Sequence, residues 1–379
     1  MPNYLRRSLQ YVFSTSEGIF TLLLVVAFAI RVYGVQWDQG GLYHPDERQI
    51  LMTASRLELP SSWAQFLDPK TSPLNPHFFA YGSFPMYLLE ASTTVWETFT
   101  GLQADLIVRA TIGRIISVLF DVSTIVFVYL LGRLLYHSRI GLLAAMLVSF
   151  SVLHVQLSHF YTVDTILTTF TIATVYFSAR LLRDGNTLNG LLAGVFLGLA
   201  ASTKISVAPL FLVVAFAWYV SSAHRYTNPS NLWSLTRYQK RFGRFLVGAL
   251  TSGVLAAMVF VFVQPYFVLD FGSFLTGISE QAQMARGAVD FPYTRQFIGT
   301  TPFWFHISQL SWWGTGLPLG FCMWVGFLFV LVRSIRNKRP EDLLLVIWVG
   351  SYFLLTAGLQ VKFMRYMLPI TPILAIFSA

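Results

Sequence analysis

A succession of apolar stretches, each near the roughly twenty residues a helix needs to cross a ~30 Å hydrocarbon core, runs the length of the 379-residue chain. They fall at about 16–34, 110–135, 140–157, 165–182, 187–203, 205–221, 245–264, 314–333 and 342–359. A further one begins near 365 and is cut off at Ala379, which reads as a C-terminal truncation of the last span. Lipid offers the backbone no hydrogen-bond partner, so each run must satisfy its own amides as a helix. The expected fold class is therefore all-α, a polytopic helical bundle in one membrane-embedded domain over 1–379. Only 11% of residues are charged, against roughly 25% in a soluble globular chain.

The formal charge of +9 comes from 26 basic and 17 acidic residues. The basic ones cluster in short connections between apolar runs, which marks topology and argues against nucleic acid as a partner. Arg6 and Arg7 precede the first run, Arg133 and Arg139 lie in the second connection, and Arg180 and Arg183 in the fourth. Loop 222–244 holds His224, Arg225, Arg237, Lys240, Arg241 and Arg244, and a later connection holds Arg333, Arg336, Lys338 and Arg339. All five regions share one side if the N-terminus is cytoplasmic. The first run follows Arg6 and Arg7 without a small-residue cleavage site and reads as a retained anchor. Cys322 is the only cysteine, so an internal disulfide and a cysteine metal site are excluded. It leans, with the missing eukaryotic targeting signal, toward a prokaryotic plasma membrane.

The opposite side receives loop 35–109, the turn at 158–165, the junction at Lys204, loop 265–313 and the turn 360–365. Residues 84–99 are amphipathic and predict a helix lying at the interface, whereas 60–77, rich in Pro, Ser and Asn, predicts irregular loop. Candidate chemistry gathers on this side. In Tyr43-His44-Pro45-Asp46-Glu47-Arg48, Pro45 has no N–H and biases His44 away from helix, so the two acids open a new helix. Asp46 and Glu47 are either acids favoured at a helix N-terminus or a general base and a hard-cation site facing a lipid-borne substrate. Asp164, in His159-Phe160-Tyr161-Thr162-Val163-Asp164, is either a cap for the next helix or a second site acid. His159 and Tyr161 read equally as interfacial anchors or site residues. Arg114 and Asp121, seven apart, share a helix face and suggest an internal ion pair or snorkelling. Arg109 lies at the outer headgroup level, where a guanidinium suits phosphate. Lys204, Lys362, Arg365 and Tyr366 stand on the same side against the positive-inside bias, which points to an anionic ligand. The aromatics of loop 265–313 read first as an interfacial belt, and otherwise as a platform for sugar or lipid.

The ordered set His44-Pro45-Asp46-Glu47, Val108-Arg109, His159-Phe160-Tyr161-Thr162-Val163-Asp164 and Lys362-Phe363-Met364-Arg365-Tyr366 resembles the GT-C glycosyltransferases that use polyprenyl-phosphate sugars. The type is that of the protein O-mannosyltransferases and aminoarabinose transferases, and the likeness in motif order spans roughly 16–379. The resemblance implies a bundle of spans with interfacial helices in the first outer loop. It also implies transfer of a sugar from a lipid-phosphate carrier to an acceptor hydroxyl on the non-cytoplasmic face. By position, Asp46 would be the base, Glu47 its support and Asp164 the second acid. Arg109, Lys204 and Arg365 would face the carrier phosphate, with Lys362, Tyr366, His44, His159 and Tyr161 as further contacts. The resemblance fixes no cofactor, and Asp46, Glu47 and Asp164 could together take a divalent metal. A polyprenyl-phosphate sugar, membrane lipid and an acceptor are the expected partners. The rival class is a transporter or lipid-linked-sugar flippase, which would account for Arg114 and Asp121.

Overall fold

The computed structural model describes residues 16–224 and 235–379, and every apolar run within them is helical. In chain order the α-helices are α1 (Ser16–Val32), α2 (Pro45–Ala54), α3 (Trp63–Leu67), α4 (Phe84–Thr100), α5 (Leu106–Leu135), α6 (Ser138–Ser149), α7 (Val152–Ser158) and α8 (Val163–Asp184). Then come α9 (Thr187–Ala201), α10 (Leu210–His224), α11 (Leu235–Val263), α12 (Tyr266–Leu269), α13 (Phe271–Ala285), α14 (Trp304–Gln309), α15 (Leu317–Arg336), α16 (Pro340–Ala357) and α17 (Thr371–Ser378). Among the described residues six helices are long and apolar enough to cross a membrane, and the bent pair α6–α7 makes a seventh. Two expected spans are shorter than anticipated and not among these: the 16–34 run forms the 17 residues of α1 and the 187–203 run the 15 residues of α9, which rise only about 22 Å. The 60–77 segment is not wholly irregular, because Ser62 caps α3 by accepting the Gln65 N–H.

α8 is the axis of the bundle, packed against α5, α9, α10, α16 and the 3-10 turn Met364–Ile370. Its threonines make this burial tolerable. Thr168, Thr169 and Thr174 return their hydroxyl protons to carbonyls four residues back, so polar side chains sit inside the core without seeking water. Close helix contact elsewhere uses small residues, as expected where lipid supplies no hydrophobic drive. Gly194 and Gly198 of α9 lie so near α11 that an added Cβ would stand 2.6 Å from the Ser252 carbonyl and 2.5 Å from that of Ala256.

The run expected as one span at 140–157 is broken by 59° between α6 and α7. A break in lipid must have its freed carbonyls satisfied from within the protein. Arg31 of α1 does this, donating to the Ser149 carbonyl at 3.0 Å and the Val148 carbonyl at 3.4 Å. Its Nε pairs with Asp121 at 2.7 Å, and the other Asp121 oxygen meets His154 Nδ1 at 2.6 Å. Asp121 thus belongs to Arg31 and His154, not to Arg114 as the shared face suggested. Seven residues along a helix separate two side chains by about 10 Å, too far for direct contact.

The ends of α5, α8 and α15 remote from Asp46 carry Arg133, Arg180, Arg183, Arg333 and Arg336. Arg6, Arg7 and Arg225, and the side chains of His224 and Arg237, lie outside the described residues. At the other end the first long loop folds back over the bundle. Gly82 donates to the Thr203 carbonyl at 3.0 Å, and Ser83 N–H to Gln264 Oε1 at 2.7 Å. Only glycine fits that approach, since a Cβ at Gly82 would fall 1.8 Å from the Ser202 carbonyl oxygen. This seam ties the loop to the residues just past α9 and α11 and so fixes what faces Lys204.

Candidate active site

α2 begins at Pro45, whose missing N–H is one the first helical turn would leave unbonded anyway. Asp46 and Glu47 occupy that turn, where the helix dipole favours negative charge. Consecutive helical residues point about 100° apart, and these two acids part company. Glu47 turns inward and is fully buried. Its oxygens accept from Arg114 Nε and Nη2, both at 2.8 Å, and from the Tyr161 N–H at 2.8 Å. Arg114 also donates to Asp38 at 2.8 and 2.6 Å and to the Val35 carbonyl at 2.9 Å, so all five of its N–H groups are used. Asp38, which the sequence reading passed over, closes its own turn by accepting the N–H groups of Gly40 and Leu42. Hydrogen bonding to Arg114 holds its carboxyl down to about 2.

Asp46 turns the other way, into a cavity of about 650 Å³. Its Oδ2 lies 2.6 Å from Arg365 Nη2, in a single contact between side chains that are 22% and 19% exposed. The second arm of Arg365 reaches His44 Nε2 at 3.1 Å, and its guanidinium lies 4.8 Å from the centre of the Phe363 ring. Arginine can only donate, so His44 accepts with Nε2 and carries its proton on Nδ1. The 3.4 Å approach of the Glu47 N–H to that Nδ1 is then a cap in position only. Burial, reinforced by Arg365, draws the His44 imidazole below its ordinary value and favours the neutral ring. Tyr81 borders the same space, and burial beside the Asp46 carboxylate keeps its phenol firmly protonated.

Lys204 enters from the seam after α9, its ammonium 4.2 Å above the Tyr366 ring. Burial lowers its proton affinity, while Asp164 and Asp46 work in the opposite sense. Asp164 is buried in the first turn of α8, next to Thr162, which donates to it at 3.2 Å. It is therefore not the cap of that helix, which is Thr162. Its charge bears on both Lys204 and Arg365. Much of the remaining wall is apolar or aromatic, from Phe78, Phe260, Phe274, Ile278, Tyr293 and Phe363. Four of the five connections expected on one side line this cavity, and the fifth supplies Asp164.

Other expected site residues stand elsewhere. Arg109 forms ion pairs with Glu90 and Glu97 of α4 and does not line the cavity. Buried Lys362 donates to Thr300 Oγ1 at 3.1 Å and the Gln360 carbonyl at 3.0 Å, behind the wall. His159 lies between two carbonyls, Nδ1 2.7 Å from that of Val155 and Nε2 2.9 Å from that of Tyr33, and donates to one of them; the Tyr161 hydroxyl donates to the Pro85 carbonyl. Arg109, His159 and Tyr161 thereby hold the first loop to the bundle. Among the described residues no three His, Cys, Asp or Glu side chains group as metal ligands, so Asp46, Glu47 and Asp164 do not make the cluster considered from sequence. Glu47 is committed to Arg114. Tyr81 and Gln49, which also line the cavity, gave no signal beyond being polar residues in the first loop.

Solved structures share this architecture. ArnT from Cupriavidus metallidurans, bound to undecaprenyl phosphate, matches with a TM-score of 0.57 at 19% identity over 96% of this chain and 60% of that one. The archaeal oligosaccharyltransferase AglB from Archaeoglobus fulgidus, in complex with an inhibitory peptide and a dolichol-phosphate, matches at 0.53 and 14% identity over 95% and 50%. The chain has the fold of the GT-C membrane glycosyltransferases. The sequence model of the dolichyl-phosphate-mannose-protein mannosyltransferase family matches residues 104–238, which in the GT-C fold run from the start of α5 into α11. No curated protein sequence matches the chain. It spans between half and three-fifths of the length of these GT-C structures.

Proposed function

We propose that this GT-C chain transfers a sugar from a polyprenyl-phosphate carrier to an acceptor hydroxyl, with Asp46 as the base. The observation that carries the reading is the meeting of Asp46, Lys204 and Arg365 on one largely apolar cavity, with the charge of buried Asp164 bearing on both cations. Two structures of this fold hold polyprenyl phosphates, which supports a carrier of that class. The acceptor oxygen forms a bond to the anomeric carbon as the carbon–oxygen bond to phosphate breaks. The hydroxyl proton passes to Asp46, and the carrier departs as polyprenyl phosphate. Lys204 and Arg365 offset the charge that builds on the departing phosphate. In-line displacement inverts the anomeric centre, which anomer analysis of the product tests. Asp164 keeps the two cations in place through its charge. The side bearing Asp46 is the non-cytoplasmic one, because the remote helix ends carry the arginines. The intramembrane charges that would serve a transporter are instead sealed: Arg114 and Asp121 are 2% and 0% exposed, with internal partners.

The test is the full chain in proteoliposomes, given a polyprenyl-phosphate sugar and candidate hydroxyl acceptors. Acceptor-dependent release of polyprenyl phosphate together with a new glycoside is expected. Carrier flipping without glycoside formation would overturn the reading in favour of transport.

A further inference from the structure

The Asp46–Arg365 pair has a property that the buried acids lack: it is poised to exchange. Arg114 grips Glu47 and Asp38 through two-point contacts and leaves no N–H unused. Arg365 holds Asp46 through one nitrogen and one oxygen, with both side chains still about a fifth exposed toward the cavity. The guanidinium is anchored independently, by His44 at Nη1 and by the Phe363 face. It can therefore change its acidic partner without moving far. Lys204, stacked on Tyr366 on the same cavity, adds a second positive charge for any anion that arrives.

We infer that Arg365 is a shared cation, for which Asp46 and the phosphate of the carrier compete. Resting on the proposed transfer, this makes the donor the first substrate to bind. While Arg365 holds Oδ2, Asp46 is occupied and a poor partner for an acceptor hydroxyl. A phosphate drawn in by Lys204 takes the guanidinium, and Asp46 is released facing the same space. The base is thus available only when there is a donor to attack. Premature binding of acceptor, and proton transfer without a sugar in place, are both disfavoured. The device needs no moving domain. It needs only one arginine fork that can exchange a carboxylate for a phosphate, two groups it fits equally well.

The consequence is measurable without any transfer reaction. Binding of undecaprenyl phosphate alone to the full chain in nanodiscs is compared for wild type, Asp46→Asn, Asp46→Glu and Arg365→Gln. Removing the competing charge in Asp46→Asn is expected to tighten binding by about twofold to fivefold, the range for a partly exposed ion pair. Asp46→Glu keeps the charge and is expected to bind no tighter than wild type. Arg365→Gln is expected to bind at least about tenfold more weakly, having lost a charge-assisted contact. Should Asp46→Asn fail to fold, Asp46→Ser carries the same comparison. Equal or weaker binding once the carboxylate is gone overturns the competition. Because no sugar is present, this result is separate from the transfer assay: a wild type that binds as described but forms no glycoside would sink the enzymatic reading and leave the shared arginine standing.

Discussion

Two carboxylate–arginine assemblies start from adjacent residues of α2 and differ in almost every physical respect. Glu47, Arg114 and Asp38 form a sealed group, with side chains no more than 2% exposed and each guanidinium proton bonded. Asp46 and Arg365 form a half-open one, joined at a single point on a cavity wall. The first ties α2, the 33–41 turn and α5 together, and the Tyr161 N–H bond carries the lock to the entrance of α8. The second leaves bonding capacity facing the space where a ligand fits. Charge type and sequence neighbourhood are the same, so neither can decide which acid works and which supports. Completeness of bonding decides it. A network with no unused donors is a strut, and one with spare capacity beside a cavity is a site.

The largest expected effect separates the two groups by readout. Asp46→Asn should lower transfer by about a hundredfold to ten-thousandfold, the usual contribution of a general base. Its unfolding midpoint should barely change, since partly exposed pairs contribute at most about 1 kcal/mol. Assaying turnover and thermal unfolding on the same preparation checks both halves, and an active Asp46→Asn protein would erase the distinction. Next comes Arg114→Met, which leaves Glu47 and Asp38 buried without a cation. A loss of about 3–5 kcal/mol in stability is expected, seen as poor yield and a much lower unfolding temperature. A stable but inactive variant would instead move Arg114 into the site.

A smaller effect tests the sorting of the outer arginines. Arg109→Ala removes the pairing with Glu90 and Glu97 on α4. It should cost about 1 kcal/mol or less and leave the affinity for undecaprenyl phosphate unchanged. A tenfold loss of that affinity in a binding assay would return Arg109 to the phosphate site. The smallest effect is in pH dependence. His44 is drawn below its ordinary 6.5 in the folded protein, so its contribution is full above that value and is lost as pH falls through the lowered one. Asp38, held near 2 against an ordinary 3.8, keeps its contribution above the ordinary value and loses it as pH falls from there toward about 2. Unfolding midpoints of wild type and His44→Asn should therefore converge between pH 7 and 5, while the Asp38 group stays intact. Parallel curves for the two proteins would show that His44 carries no such linkage.

Much of the architecture could be read from residues alone. Apolar length and the absence of backbone partners in lipid make each run a helix, and Pro45 starts α2 where its chemistry requires. That the acids and outer cations collect at one end of the bundle also follows from where the apolar runs start and stop. Partner choice was less accessible. Arg31, an arginine inside the first apolar run, was a signal of a buried acid that went unused, and it accounts for both Asp121 and the break in the third run. Lys362 shares its motif with the cavity residues Phe363, Arg365 and Tyr366, and His159 and Tyr161 share theirs with Asp164, yet these three and Arg109 are each taken up by a nearby carbonyl, hydroxyl or carboxylate.

What the sequence determined by itself is the inventory: a many-span helical bundle, its loops, and a set of acids and cations confined to one end. Hydropathy and backbone chemistry act locally and need no knowledge of distant residues. Only the tertiary structure decided that Asp46 looks into the cavity while Glu47 is sealed behind it, and that Arg365, over three hundred residues away, is its partner. Those choices depend on the direction of side chains around α2 and on which surfaces pack against it. Burial and bonding between remote segments are properties of the folded chain.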